Sequence, residues 1–189
     1  MNQTQDFTKG VIWKQLLFFF FPILIGSFFQ QLYNTVDTII VGRAVGTSAL
    51  AAVGSTGNLT NLIINFYVGL STGASVVIAQ YYGAQNNKKI HQAVHTSYSL
   101  AIVSGILMML FGLFFSYQCL DAIGTPHDIL NDATLYMQLY FLCMIPGAIY
   151  NIGAGILRAV GDSKRPLYYL IVCSIVNVVF DFIFVVIFH

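Results

Sequence analysis

The sequence predicts an all-α integral membrane protein of about five transmembrane helices, and three observations carry that prediction. Of 189 residues 57% are hydrophobic and only 8% charged, where a soluble domain carries about a quarter charged residues. Such a chain cannot cover its own surface with polar groups in water. Charges and turn formers divide it into five apolar segments, each near the length of about 20 helical residues that crosses a bilayer. If those segments alternate in direction, seven of the eight Lys and Arg residues fall on one side, the asymmetry that orients membrane proteins.

The first span is expected over residues 15–41, with Pro22 near its start. Its stretch "QLLFFFFPILIGSFF" and the continuation are too long for a signal peptide and lack a small-residue cleavage site, so this span should stay in the mature protein. The second span covers 53–82, long enough to tilt or protrude, and the third 93–117. The fourth, 133–157, contains Pro146 and should kink there. The fifth starts at Pro166, a residue suited to the start of a helix, and is still apolar at His189.

Alternation places the N-terminus and the 83–92 and 158–165 loops together, with Lys9, Lys14, Lys88, Lys89, Arg158, Lys164 and Arg165. Arg43 stands alone opposite, in the 42–52 loop, and Asp121, Asp128 and Asp132 lie in or beside the 117–132 loop. The basic side is cytoplasmic. The expectation is a multi-pass protein of the cell (inner or plasma) membrane with a cytoplasmic N-terminus.

Several function classes are disfavoured. A formal net charge of +1 provides no basic field for nucleic acid. The chain has no P-loop, G-x-G-x-x-G, G-x-S-x-G or H-E-x-x-H, so neither an enzyme nor an ATP-driven machine is indicated. Cys119, Cys143 and Cys173 are too far apart for a zinc site or disulfide framework and read as apolar fillers. His91 and His95 share a helix face with no acid or cysteine nearby, and read as residues snorkelling at a span end.

The polar residues inside the spans carry the chemistry. From Pro166 to Phe180 there are 15 uncharged residues and from Phe182 to His189 eight, so Asp181 must lie within the membrane if the fifth segment crosses it. A carboxylate there costs about 2.5–3.5 kcal/mol on insertion scales, and such residues usually face a cavity with a partner. Asn177 is one turn away on the same face. In the first span Gln30, Tyr33, Asn34 and Asp37 form one stripe at i, i+3, i+4, i+7. The plainer alternatives are an interfacial Asp37 and a neutral, hydrogen-bonded structural Asp181. Asn58, Asn61, Asn65 and Thr72, near Gly69 and Gly73 in a small-x-x-x-small pattern, read as helix-packing contacts. Asn151 fits either packing or ligation.

Three stretches resemble the multidrug and toxic compound extrusion (MATE) family of secondary transporters: "VDTIIVGRAVGTSALAAVG" (36–54), "LRAVGDSKRP" (157–166) and "NVVFDFIF" (177–184). Their order and their positions at span boundaries make the resemblance specific. It implies the N-terminal lobe, incomplete over 1–189, of a twelve-helix transporter built of two six-span lobes in the MOP flippase superfamily. It also implies export of cationic or amphipathic compounds in exchange for Na⁺ or H⁺, with no other cofactor, by a protein that is monomeric when full length. In DinF-like members an Asp of the first span meets an Asn and an Asp of the fifth and an Asn of the fourth; carried over, these are Asp37, Asn177, Asp181 and Asn151, with Na⁺ held at Asp37, Asn177 and Asp181. Gln30, Tyr33 and Asn34 would line the cavity. Where the family often has Pro after the fifth-span Asp, this chain has Phe182.

Physical chemistry leads to a similar place. Two carboxylates facing one low-dielectric cavity cannot both be ionised without a cation, so they hold an ion or share a proton, and either event biases the helix arrangement. A lipid-linked oligosaccharide or peptidoglycan-precursor flippase of the same superfamily is the first rival; it should place Arg or Lys in its cavity, and none lies inside the expected spans. An intramembrane aspartyl protease is the second. It would need G-x-G-D, whereas the one Gly-Asp here, Gly161-Asp162, stands in a loop.

Overall fold

The computed structural model describes residues 11–44 and 47–183, and at 12, 33, 37, 40–44, 47–50 and 181 the helix backbone alone. Six helices follow in order among the described residues: α1 (Ile12–Ala44), α2 (Thr47–Gly83), α3 (Asn87–Ala122), α4 (Leu130–Leu142), α5 (Met144–Ala159) and α6 (Lys164–Asp181). Three of them, α1 to α3, contain stretches long and apolar enough to cross a membrane, and α4 with α5 makes a fourth if the bent pair is one crossing. The described part of α6 is 18 residues and carries Lys164, Arg165 and Asp181; the rest of the expected fifth span lies outside the described residues.

α1, α2 and α3 run 33, 37 and 36 residues, roughly 50–55 Å at 1.5 Å per residue. They therefore project beyond a hydrocarbon core of about 30 Å, and the loops expected at 83–92 and 117–132 shrink accordingly. Nothing breaks the backbone pattern where the hydropathy ends, so helix boundaries outrun span boundaries.

The described turns that reverse the chain share one geometry. After α5 the Gly161 N–H bonds the Arg158 carbonyl at 3.0 Å and the Asp162 N–H that of Leu157 at 2.9 Å, with Gly161 at φ 84°. This is the Schellman arrangement, which needs a left-handed residue. Asp162, only 3% exposed, then accepts from the Lys164 and Arg165 N–H groups at 3.1 Å and pairs with the Arg165 Nε at 3.1 Å. The "GDSKRP" stretch is thus a joint that ends one helix and starts the next, in addition to being a basic anchor.

The same turn closes α2 with Gln85 in the left-handed place, at φ 53°. Its N–H bonds the Tyr82 carbonyl and that of Asn86 bonds Tyr81, both at 3.0 Å. Asn86 caps α3 through the Lys89 N–H at 3.1 Å. A side chain in this conformation is strained and glycine is not, so Gln85→Gly should stabilise the protein by about 0.5–1 kcal/mol after the entropy of the unfolded glycine is set against it. A rise in the thermal-unfolding midpoint would register this.

The fourth crossing differs from expectation. Rather than a single helix kinked at Pro146, it is two helices bent by 51° with the break at Cys143. Pro146 has no N–H for the Leu142 carbonyl and its ring excludes that carbonyl from the helical position, so the fault appears one turn before the proline.

The apolar core lies among α2, α3, α4 and α5 and includes Ile63, Tyr67, Ala101, Met137, Phe141 and Ile152. Small residues let the helices approach: Gly112 of α3 takes the Phe141 ring against its backbone, and Gly155 of α5 sits on Ser71 and Ser75 of α2. Gly69 and Gly73, expected in this role, have nothing within 4 Å of where a Cβ would stand. Asn58, Asn61, Asn65 and Thr72 are likewise exposed rather than packed. The contact face of α2 is the one carrying Ala52, Thr56, Ile63, Tyr67, Ser71 and Ile78. Cys143 and Cys173 are also exposed and Cys119 half-buried, so the first two do not fill the core.

Candidate functional site

α1 stands apart from that core and packs along α6. The contact is made at Gly26, where a Cβ would meet Leu170 Cδ2 at 3.5 Å and Leu167 Cδ1 at 3.6 Å. Between this pair and helices α2 and α5 lies a cavity of about 540 Å³. It exists because the α1–α6 pair touches the rest at few places, and its lining is mixed in character.

Three of the residues singled out from the sequence meet here: Gln30 of α1, Asn151 of α5 and Asn177 of α6 all line the cavity. Asn151 donates through Nδ2 to the Gly147 carbonyl at 2.9 Å, and its backbone carbonyl accepts from Ser71 Oγ at 2.7 Å. It is therefore both a packing and a cavity residue. Among the described residues no hydrogen-bond partner meets the buried Oδ1 of Asn177. A buried acceptor left unmatched costs about 1–3 kcal/mol, which a bound cation, water or donor would relieve.

Asn34 is exposed and does not line the cavity. The side chains of Tyr33, Asp37 and Asp181 lie outside the described residues. Directly after Asp181 the helix widens into a π turn at Phe182 and Ile183, a distortion often found at functional sites. The hydroxyls of Ser27 and Ser174, which also line the cavity, are turned back onto the carbonyls of Ile23 and Leu170 at 3.1 and 2.8 Å.

The sequence predicts no cationic side chain in the cavity, yet Arg158, in the last turn of α5, lines it near the α6 start, next to Ser163 and Pro166. Its position just past the predicted span concealed it; the 3.6-residue period from Asn151 and Ala154 would have revealed it. His91 and His95 are exposed at the start of α3 with their rings stacked at 6.3 Å. Among the described residues no group of three metal-ligating side chains occurs.

The MatE family profile matches residues 22–183. The chain belongs to the MatE family. It is 32% identical over 93% of its length to the probable multidrug resistance protein YoeA of Bacillus subtilis (strain 168), and covers 38% of that protein. With the FAD transporter of Shewanella oneidensis it shares 23% identity, covering 40% of that protein. Among solved structures it is similar to a MATE transporter in complex with MaD3S, with TM-score 0.89 and 27% identity over 97% of this chain and 41% of that one. A MOP superfamily transporter from Pyrococcus furiosus, described as having reverse polarity of its binding pocket, matches equally, with TM-score 0.89, 27% identity and 97% and 40% coverage. The chain thus spans about 40% of the length of the proteins it matches. The architecture is that of a partial N-terminal lobe of the MOP superfamily fold, a multi-pass helical membrane protein.

Proposed function

We propose that this chain forms the N-terminal lobe, over 1–189, of a secondary transporter. It exports cationic or amphipathic small molecules in exchange for Na⁺ or H⁺ and performs no covalent chemistry. The coupling ion is its sole cofactor and the lipid bilayer its surroundings; it acts as a monomer in the plasma membrane, with a cytoplasmic N-terminus and no nucleic-acid partner. The observation that carries this reading is the cavity in which Gln30, Asn151 and Asn177, whose buried Oδ1 meets no partner among the described residues, converge inside a bundle of membrane-crossing helices.

Register supports placing both carboxylates at this site. As alternate crossings, α1 and α6 run in the same direction. Counted from the Gly26 contact with Leu170 and Leu167, Asp37 is 11 residues on and Asp181 is 11 to 14. They sit about 16 Å and about 16–21 Å further along parallel helices, at similar levels. Asp37, Asn177, Asp181 and Asn151 then form the cation or proton site. The exposed Asn58, Asn61 and Asn65 of α2 suit a water-filled or protein-facing surface better than lipid.

A second reading rests on Arg158: its cation in the cavity suits an anionic or pyrophosphate-bearing substrate, as in a flippase. Support comes from the similar transporter of Pyrococcus furiosus, described by the reverse polarity of its binding pocket, and from the similar FAD transporter, named for an anionic cargo. Proteoliposomes holding the protein, with an imposed Na⁺ or proton gradient, decide between them. Uphill movement of a fluorescent cation that collapses with the gradient supports the first reading. Movement of an anionic reporter alone supports the second.

Orientation is tested separately. Under the basic-inside arrangement, membrane-impermeant thiol reagent applied from outside should label Asp128→Cys and leave Lys88→Cys unlabelled, in a background free of native cysteines. The reverse pattern overturns it.

A further inference from the structure

A second cavity, of about 580 Å³, lies between α2 and α3 on a face the coupling site does not use. Its floor is Ile152, only 1% exposed. Its α2 wall is low because Gly69 and Gly73 project nothing into it, and among the described residues no atom beyond their own stretch of helix stands within 4 Å of either missing Cβ. Each glycine costs a helix about 1 kcal/mol relative to alanine, and none of the described helices uses the space gained.

One end of this groove is polar and cationic. Lys89 and Gln92 line it there, with the Lys89 Nζ 5.4 Å from the centre of the Tyr81 ring. Lys88 is adjacent, and neither α2 nor α3 carries an acidic residue before Asp121. From Tyr81 to Gly69 is 12 residues along α2 and from Lys89 to Leu100 is 11 along α3, about 16–18 Å of groove. That matches one leaflet of a hydrocarbon core about 30 Å thick.

We propose that this groove binds one anionic phospholipid of the cytoplasmic leaflet, with an acyl chain laid over Gly69 and Gly73 and the phosphate at Lys89 and Lys88. Basic pockets between transmembrane helices on the cytoplasmic side hold acidic headgroups in this manner, and the start of α3 adds its dipole. The leaflet rests on the orientation proposed above. Lipid binding in micelles does not depend on that orientation, so failure of one is distinguishable from failure of the other.

The test is native mass spectrometry of the purified chain titrated with phosphatidylglycerol and with phosphatidylcholine. Retention should favour phosphatidylglycerol by about fivefold per lysine engaged. Lys88→Gln with Lys89→Gln should abolish that preference. Gly69→Leu with Gly73→Leu should reduce retention of both lipids, with helix content by circular dichroism unchanged. Equal retention of the two lipids by the parent chain overturns the proposal, as does a preference that survives loss of the lysines. A preference that needs the lysines but is indifferent to the filled groove would show surface attraction alone and equally overturns it. Should the leucine variant lose helix content, Gly69→Ala with Gly73→Ala replaces it, and unchanged retention there counts against the groove.

Discussion

Gly155→Val should unfold the lobe or leave it too unstable to purify. A Cβ at Gly155 would overlap Ser71 Oγ and stand 2.7 Å from Ser75 Oγ and 3.1 Å from the Ser71 backbone carbonyl. The hydroxyls could rotate away, but the carbonyl belongs to a helix and cannot move without carrying α2 with it. Separating α2 from α5 would also break the bond from Ser71 to the Asn151 carbonyl, 2.7 Å long, and open the core around Ile152. Overpacking costs typically about 1–3 kcal/mol and an orphaned buried group about 1–3 kcal/mol more, a large share of an ordinary stability of about 5–15 kcal/mol. Gly155→Ala should show the same defect in weaker form. Gly73→Val, at a helical glycine of α2 with open space beside it, should be purified normally. Thermal unfolding monitored in detergent ranks the three.

Asp181→Asn should abolish coupled export while leaving the protein inserted and folded. Asparagine is nearly isosteric and can still hydrogen-bond in the cavity, so packing around the π turn at Phe182 and Ile183 should survive. It can neither attract a cation nor release a proton, and a binding event that no longer occurs cannot bias the helix arrangement. Asp37→Asn should behave alike, and the double variant should be no worse than either, because the two act as one unit. The efflux assay in proteoliposomes reads this at fixed protein content. Parental export that still collapses with the ion gradient would move the coupling site elsewhere.

That three or four apolar helices are long enough to cross a membrane was legible in the sequence because hydropathy is summed over many residues and tolerates local error. The fourth crossing shows the limit of that summation: Pro146 announces a fault, but the place of the break, Cys143, is set by which carbonyl the ring displaces. Packing was misread because periodicity identifies faces without saying which neighbour each face meets. The run 69–75 offers a small residue on both sides of α2, and the side carrying Ser71 and Ser75 meets Gly155 while Gly69 and Gly73 face a groove. In the site, Asn177 and Asn151 were legible as polar groups too deep to be ornamental. Arg158 was not, since a side chain several bonds long reaches a cavity from beyond the span boundary that its charge defines.

If Asp37 and Asp181 share one site at the outer end of the α1–α6 contact, short-range cross-linking should bridge them. In a background with Cys119, Cys143 and Cys173 replaced by serine, the pair Asp37→Cys and Asp181→Cys should be bridged by a mercuric ion or a short bifunctional thiol reagent. The pair Gly26→Cys and Leu170→Cys, whose positions touch in the structure, serves as the reference for α1–α6 proximity. Cross-linking of both pairs is the predicted result. Efficient bridging at Gly26 and Leu170 with none at Asp37 and Asp181 would show helices that meet at one end and diverge at the other, and would contradict the shared site.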